Sequence, residues 1–121
     1  MKVANILIVD DSRTSRKILR GILEENGHVV VDEAVNGQEG VQKFQACKPD
    51  VVTMDITMPV LDGMEALKMI KALKPEAKVI MVTAAGQKNK MIDCIKLGAD
   101  EFLTKPFDKA EIASVVAKLA E

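Results

Sequence analysis

Five short apolar runs alternate with five amphipathic stretches along this chain, and that rhythm leaves few folds open to it. The runs occupy residues 5–9, 29–34, 51–54, 79–82 and 101–104. The first, third and fourth are nearly unbroken in apolar character, as parallel strands covered on both faces are. Between the runs, apolar residues recur at helical spacing. Ile18, Leu19, Ile22 and Leu23 make one stripe and Ala66, Leu67, Ile70 and Leu73 another; Met91, Ile92 and Ile95 follow, then Ile112, Val115, Val116 and Leu119. Gly27, Pro49, Pro75 and Gly98 stand where the first four helices must end. Strands alternating with helices in this way imply right-handed βαβ crossovers and a parallel sheet. The expected product is an α/β, doubly wound, five-stranded sheet in the order 2-1-3-4-5. With no repeat, linker or low-complexity segment, one domain is expected to span residues 1–121.

The polar residues gain meaning on that frame. In the order 2-1-3-4-5 the first and third strands are neighbours, and ligands bind beyond their carboxyl ends. The first strand runs into Asp10-Asp11 and the third into Asp55, so three carboxylates are expected in one crevice. Like charges about 4 Å apart repel by roughly 4 kcal/mol at an effective dielectric near 20. Such a cluster calls for a proton, a lysine or a hard cation. Mg2+ suits it, since Mg2+ takes one or two carboxylates and completes its octahedron with waters and phosphate oxygens. Asp10-Asp11-Ser12 alone could equally cap the helix that follows, and Asp55 alone could be an ordinary strand-end turn residue. The other strand ends decide between these readings. The fourth ends in Thr83 and the fifth in Lys105, so acid pair, acid, hydroxyl and amine stand in order. Phosphoryl transfer asks a protein mainly for position and charge stabilisation, and this set supplies both. Asp55 would be the nucleophile.

Composition removes other classes. A formal net charge of −1 leaves no basic footprint for nucleic acid, and with no Trp or Tyr there is almost nothing for bases or a flavin ring to stack on. No apolar run approaches the roughly 18 residues that span a bilayer, and no leader precedes the first strand, so a cytoplasmic location is expected.

The motifs match a family. Ile8-Val9-Asp10-Asp11, Met54-Asp55-Ile56-Thr57-Met58-Pro59 with Asp62-Gly63, Val82-Thr83-Ala84, and Thr104-Lys105-Pro106-Phe107 together resemble response-regulator receiver domains over essentially the whole chain. The resemblance implies a flavodoxin-like (βα)5 fold and phosphotransfer to Asp55 from a phosphohistidine on a sensor histidine kinase. It implies Mg2+, with Mn2+ as a substitute, held by Asp11, Asp55 and the backbone carbonyl of Thr57, with Asp10 helping through water. Lys105 would precede a cis peptide to Pro106. Thr83 would move inward on phosphorylation, Phe102 would follow, and the surface of the fourth helix, fifth strand and fifth helix would change for a partner. The chain would be a monomeric switch that catalyses only its own phosphorylation and dephosphorylation. The stretch from Val52 to Pro59 and the pair Gly86-Gln87 look most like stand-alone chemotaxis regulators. That implies a chemotaxis-class kinase, a target such as a flagellar switch protein, and a phosphatase. A phosphorelay intermediate or a receiver excised from a larger regulator is the alternative. Thr57 and Ala85 would flank the acyl phosphate, and neither orients water well, so slow to intermediate loss of phosphate is expected.

Rival functions fare worse. Mg2+-dependent phosphohydrolases with a strand-end Asp nucleophile place a second Asp two residues later, where Thr57 stands here. A flavodoxin-like electron carrier would need a hydroxyl- and Gly-rich loop in place of Asp10-Asp11-Ser12-Arg13. No GxxxxGK[ST] occurs. His28 reads as a surface-turn residue, and Lys88 and Lys90 as a solvated surface. Met69, Met81 and Met91 read as core-facing, and Cys47 and Cys94 as small reduced core residues.

Overall fold

A computed structural model describes residues 2–120. It has five parallel strands, β1 (Asn5–Val9), β2 (Val29–Ala34), β3 (Val51–Asp55), β4 (Lys78–Thr83) and β5 (Glu101–Thr104), each followed by a helix. The helices are α1 (Arg13–Glu25), α2 (Gly37–Cys47), α3 (Gly63–Leu73), α4 (Lys88–Lys96) and α5 (Lys109–Ala120). The strand order is β2-β1-β3-β4-β5.

The apolar character of the strands follows from their place. Every residue of β3 is buried, as are four of the five in β1, because these strands have neighbours on both edges and helices on both faces. One core, including Leu7, Met54, Leu67, Ile70 and Met81, lies on the α2–α3 face. The other, including Ile8, Leu23, Ile80, Leu103 and Ile112, lies on the α1–α5 face. β1 pairs with β3 from Ile6–Val51 to Val9–Met54, which brings Asp10 and Asp55 to the same end of adjacent strands.

Helix ends follow local chemistry. Ser12, Asn36 and Asp62 cap α1, α2 and α3, each side chain accepting from the backbone N–H three residues on. Lys48 closes α2 in the left-handed region, with Pro49 next in sequence.

Several expected core positions face outward. Ile92 and Ile95 are 60% and 58% exposed, so Cys94 is the buried residue of α4. Ile18, Met69 and Leu73 are also exposed, whereas Met81 is in the core and Met91 is half-buried. Cys47 is half-buried rather than core, its Sγ 4.0 Å from Asp32 Oδ2. His28 is not a surface-turn residue. It is 5% exposed, and its Nδ1 accepts from the Ala4 N–H at 3.1 Å, tying the start of β1 to the turn before β2. Among the described residues no helix is long and apolar enough to cross a membrane.

Candidate functional site

Carboxylate oxygens of Asp10, Asp11 and Asp55 all lie within 4.8 Å of one another beyond the ends of β1 and β3. Asp10 is held from several sides. Its N–H donates to Ala34 O at 3.0 Å, and its Oδ1 accepts from the Ser12 N–H at 2.8 Å. Its carbonyl accepts from Arg16 Nη1 at 2.8 Å. Asp10 therefore orders the start of α1 while its other oxygen faces the site; helix-start and site residue are the same group. Asp11 is exposed and leaves its carboxylate to the crevice.

Lys105 comes from the end of β5, where its N–H donates to Thr83 O at 2.8 Å. Its Nζ lies 2.9 Å from Asp10 Oδ2 and 3.5 Å from Asp55 Oδ2. The peptide joining Lys105 to Pro106 is cis. Thr83 is buried, and its hydroxyl donates to Leu103 O at 3.4 Å, turned onto β5 rather than toward Asp55. Phe102 is half-buried and packs on the α2–α3 side core. Thr57 is exposed in the loop after β3, two residues beyond Asp55.

Charge sets the chemistry. Three carboxylates facing one ammonium leave the site two negative charges in excess. Burial and then the neighbouring Asp10 push the Asp55 carboxyl up to about 6 from 3.8, against the pull of Lys105. Burial alone would lower the Lys105 ammonium, but its hydrogen bond to Asp10 and the charge of Asp55 hold it above its ordinary value. An all-oxygen donor set with this excess fits a hard divalent cation of the Mg2+ type, which would restore the ionised form of Asp55.

The loop that carries Thr57 is tightly built. Gly63 N–H donates to Ile56 O at 2.7 Å, and the chain between makes a γ-turn in which Leu61 N–H donates to Pro59 O at 2.8 Å. Val60 sits at its centre with φ 69°.

A family model described as the response regulator receiver domain matches residues 6–117. The chain belongs to the response-regulator receiver family. Receivers are the phospho-signalling modules of two-component systems and are not classical enzymes. The family binds Mg2+ at an acidic pocket of the kind formed by Asp10, Asp11 and Asp55. This receiver is 46% identical to a chemotaxis protein CheY of Listeria monocytogenes, over 96% of this chain and 98% of that one. It is 42% identical to CheY of Thermotoga maritima, over 96% and 97%. Among solved structures it is similar to a complex from Borrelia burgdorferi described as CheX-CheY-BeF3-Mg+2, with a TM-score of 0.90 and 38% identity over 95% of this chain and 87% of that one.

Two residues with work near the receiver's site were given no part in it by the sequence reading, Gln87 entering only through the Gly86-Gln87 pair. Arg16 joins the Asp10 carbonyl to Glu33, its Nε 2.9 Å from Glu33 Oε1. A first turn of α1 with no acidic residue was the available signal, since a helix N-terminus favours acids over bases. Gln87 links Thr57 to Ala84 across the rim of the site. Gln is not a favoured N-cap residue, so its place at the start of α4 was the signal there.

Proposed function

We propose that this receiver accepts a phosphoryl group on a carboxylate oxygen of Asp55 from a phosphohistidine of a sensor histidine kinase. The new bond joins that oxygen to phosphorus, and the bond from phosphorus to the imidazole nitrogen breaks, the imidazole leaving with its electron pair. The observation that carries this is the convergence of Asp10, Asp11 and Asp55 beneath Lys105. Asp10, Asp11, Asp55 and the carbonyl of Thr57 would hold Mg2+, or Mn2+ in its place, and the cation supplies charge neutralisation of the transferring group. Lys105 neutralises a further phosphoryl oxygen and keeps Asp10 and Asp55 in place meanwhile. The Thr83 hydroxyl exchanges Leu103 O for a phosphoryl oxygen, Phe102 moves into the space released, and the α4–β5–α5 surface shifts between two packings.

Identities of 42–46% over nearly the full length of CheY proteins support a chemotaxis role. The partners are then a chemotaxis-class kinase, a target such as a flagellar switch protein, and a phosphatase. The exposed Ile92 and Ile95 of α4 give the target an apolar face to read. We place the protein in the cytoplasm as a one-domain monomer that catalyses only its own phosphorylation and dephosphorylation.

The test is intact mass after incubation with acetyl phosphate, with Mg2+ and with EDTA, beside Asp55→Asn. One added phosphoryl group that needs both Mg2+ and Asp55 is expected. An adduct that persists on Asp55→Asn, or none on the unmodified chain, would sink the proposal.

A further inference from the structure

Gln87 precedes α4 yet makes no side-chain capping bond to it. Its side chain reaches back over the rim of the site instead. Nε2 donates to Thr57 Oγ1 at 2.8 Å, and Oε1 accepts from the Ala84 N–H at 2.7 Å. The orientation of the amide follows from its partners, because a backbone N–H can only donate and so must face the oxygen. One side chain thus ties the loop after Asp55 to the loop after Thr83.

We propose that Gln87 is a positioning residue that keeps the rim in its unphosphorylated arrangement by occupying the Ala84 N–H, and that it lets go when Asp55 carries a phosphoryl group. This rests on the reading of Asp55 as phosphoacceptor. Asp55 pairs in register with Val82, and Ile56 N–H donates to Val82 O at 3.3 Å, so Ala84 flanks the site from the neighbouring strand end. A phosphoryl group brings three strong acceptor oxygens and up to about two negative charges. The Ala84 N–H is a fixed backbone donor at that rim, whose present partner is a neutral carboxamide. Bonds to a charged acceptor are roughly twice as strong as neutral ones, so the phosphoryl oxygen displaces Gln87. Release severs the tie between the Thr57 loop and the residue from which α4 starts. Gln87 therefore biases the balance between the two states and carries the change at Asp55 into α4.

The probe is beryllofluoride with Mg2+, a stable mimic of a phosphoryl group on a carboxylate. Its affinity is measured for the unmodified chain, Gln87→Ala, Thr57→Val, the double variant and Gln87→Glu, with the thermal midpoint of each free protein. Gln87→Ala is expected to bind about fivefold tighter, the worth of a modest net hydrogen bond. Thr57→Val, which leaves the bond to Ala84, should gain about twofold. The double variant should match Gln87→Ala alone, because both act through one tie. Gln87→Glu should bind more weakly than the unmodified chain, its charged acceptor holding the Ala84 N–H harder and adding repulsion. A purely structural Gln87 would lower the thermal midpoint and leave the affinities equal. Equal affinities, or additive ones, overturn the inference while the Asp55 reading stands. Failure of the unmodified chain to bind beryllofluoride would overturn both.

Discussion

Gly63 packs so closely on Asp55 that a Cβ on Gly63 would lie 1.9 Å from the Asp55 carbonyl oxygen. The obstacle is backbone and cannot swing aside, and Ile56 Cα would lie only 2.9 Å away. The start of α3 thus presses directly on the residue that ends β3. Gly63→Ala should therefore force the two elements apart and destabilise the fold by about 3 kcal/mol, toward the upper end of single substitutions. Urea unfolding measures this. A loss under about 1 kcal/mol would mean that the loop from Ile56 to Asp62 absorbs the strain.

Asp55 makes the metal-free protein sensitive to pH. Its folded-state carboxyl is raised to about 6 from 3.8, so the folded chain holds a proton that the unfolded chain has released between those values. That contribution to stability is full below about 3.8 and is lost as pH rises through 6. In EDTA at pH 8, Asp55→Asn should be more stable than the unmodified chain by about 2–3 kcal/mol, from 1.36 kcal/mol per pKa unit. Mg2+ should narrow that gap by stabilising the unmodified chain only. Thermal melts of both proteins across pH 4–8, with and without Mg2+, check both statements.

The frame and the acidic cluster were legible because each rests on a signal the chain must carry locally. Strands buried on both faces have to be apolar along their length, and the bounds of β1, β2 and β5 coincide with the runs 5–9, 29–34 and 101–104. Asp10, Asp11, Asp55, Thr83 and Lys105 were placed by topology once the strand order was in hand. Periodicity failed for α4, because an apolar stripe reports amphipathicity and not which way the stripe faces. Ile92 and Ile95 read as core yet point to solvent. Arg16 and Gln87 were illegible for a different reason. Their partners, the Asp10 carbonyl, the Thr57 hydroxyl and the Ala84 N–H, are backbone or loop groups whose approach only the folded chain reveals.

His28 should add a second pH dependence, on the acid side. Burial holds its imidazole below the ordinary 6.5, and its Nδ1 must stay unprotonated to accept from the Ala4 N–H. The stability it contributes is present above 6.5 and is lost as pH falls toward the lowered folded value. In His28→Gln, which keeps an acceptor but cannot titrate, stability should change less between pH 7 and 5.5. Slopes of unfolding free energy compared on an Asp55→Asn background isolate the effect, and equal slopes would contradict it.

Val60 stores strain beside the site. A β-branched residue at φ 69° is a genuine outlier, and such conformations cost of order 1–3 kcal/mol. Its side chain is 74% exposed and so gains little from burial. Glycine relieves the strain at an entropic cost of about 0.5–1 kcal/mol in the unfolded chain. Val60→Gly should therefore raise stability by about 1 kcal/mol, read from the urea midpoint at constant m. A loss of stability would show that the Val60 side chain makes up for its backbone.

Thr53 offers a gain of another kind. It is 1% exposed in β3, two residues before Asp55, and its hydroxyl has no hydrogen-bond partner among the described residues. On β3 it shares a face with Val51, which belongs to the α1–α5 core with Ile8 and Ile80. A buried hydroxyl without a partner costs about 1–3 kcal/mol of desolvation that nothing returns. Valine has nearly the same shape and no polar atom, so Thr53→Val should raise stability by about 1 kcal/mol. Because the change lies beneath the site and touches none of the charged groups, Mg2+ affinity should stay within about twofold. An unchanged or lower stability would mean that the hydroxyl finds a partner in solution, and a buried water at that position is what a high-resolution crystal structure would then have to show.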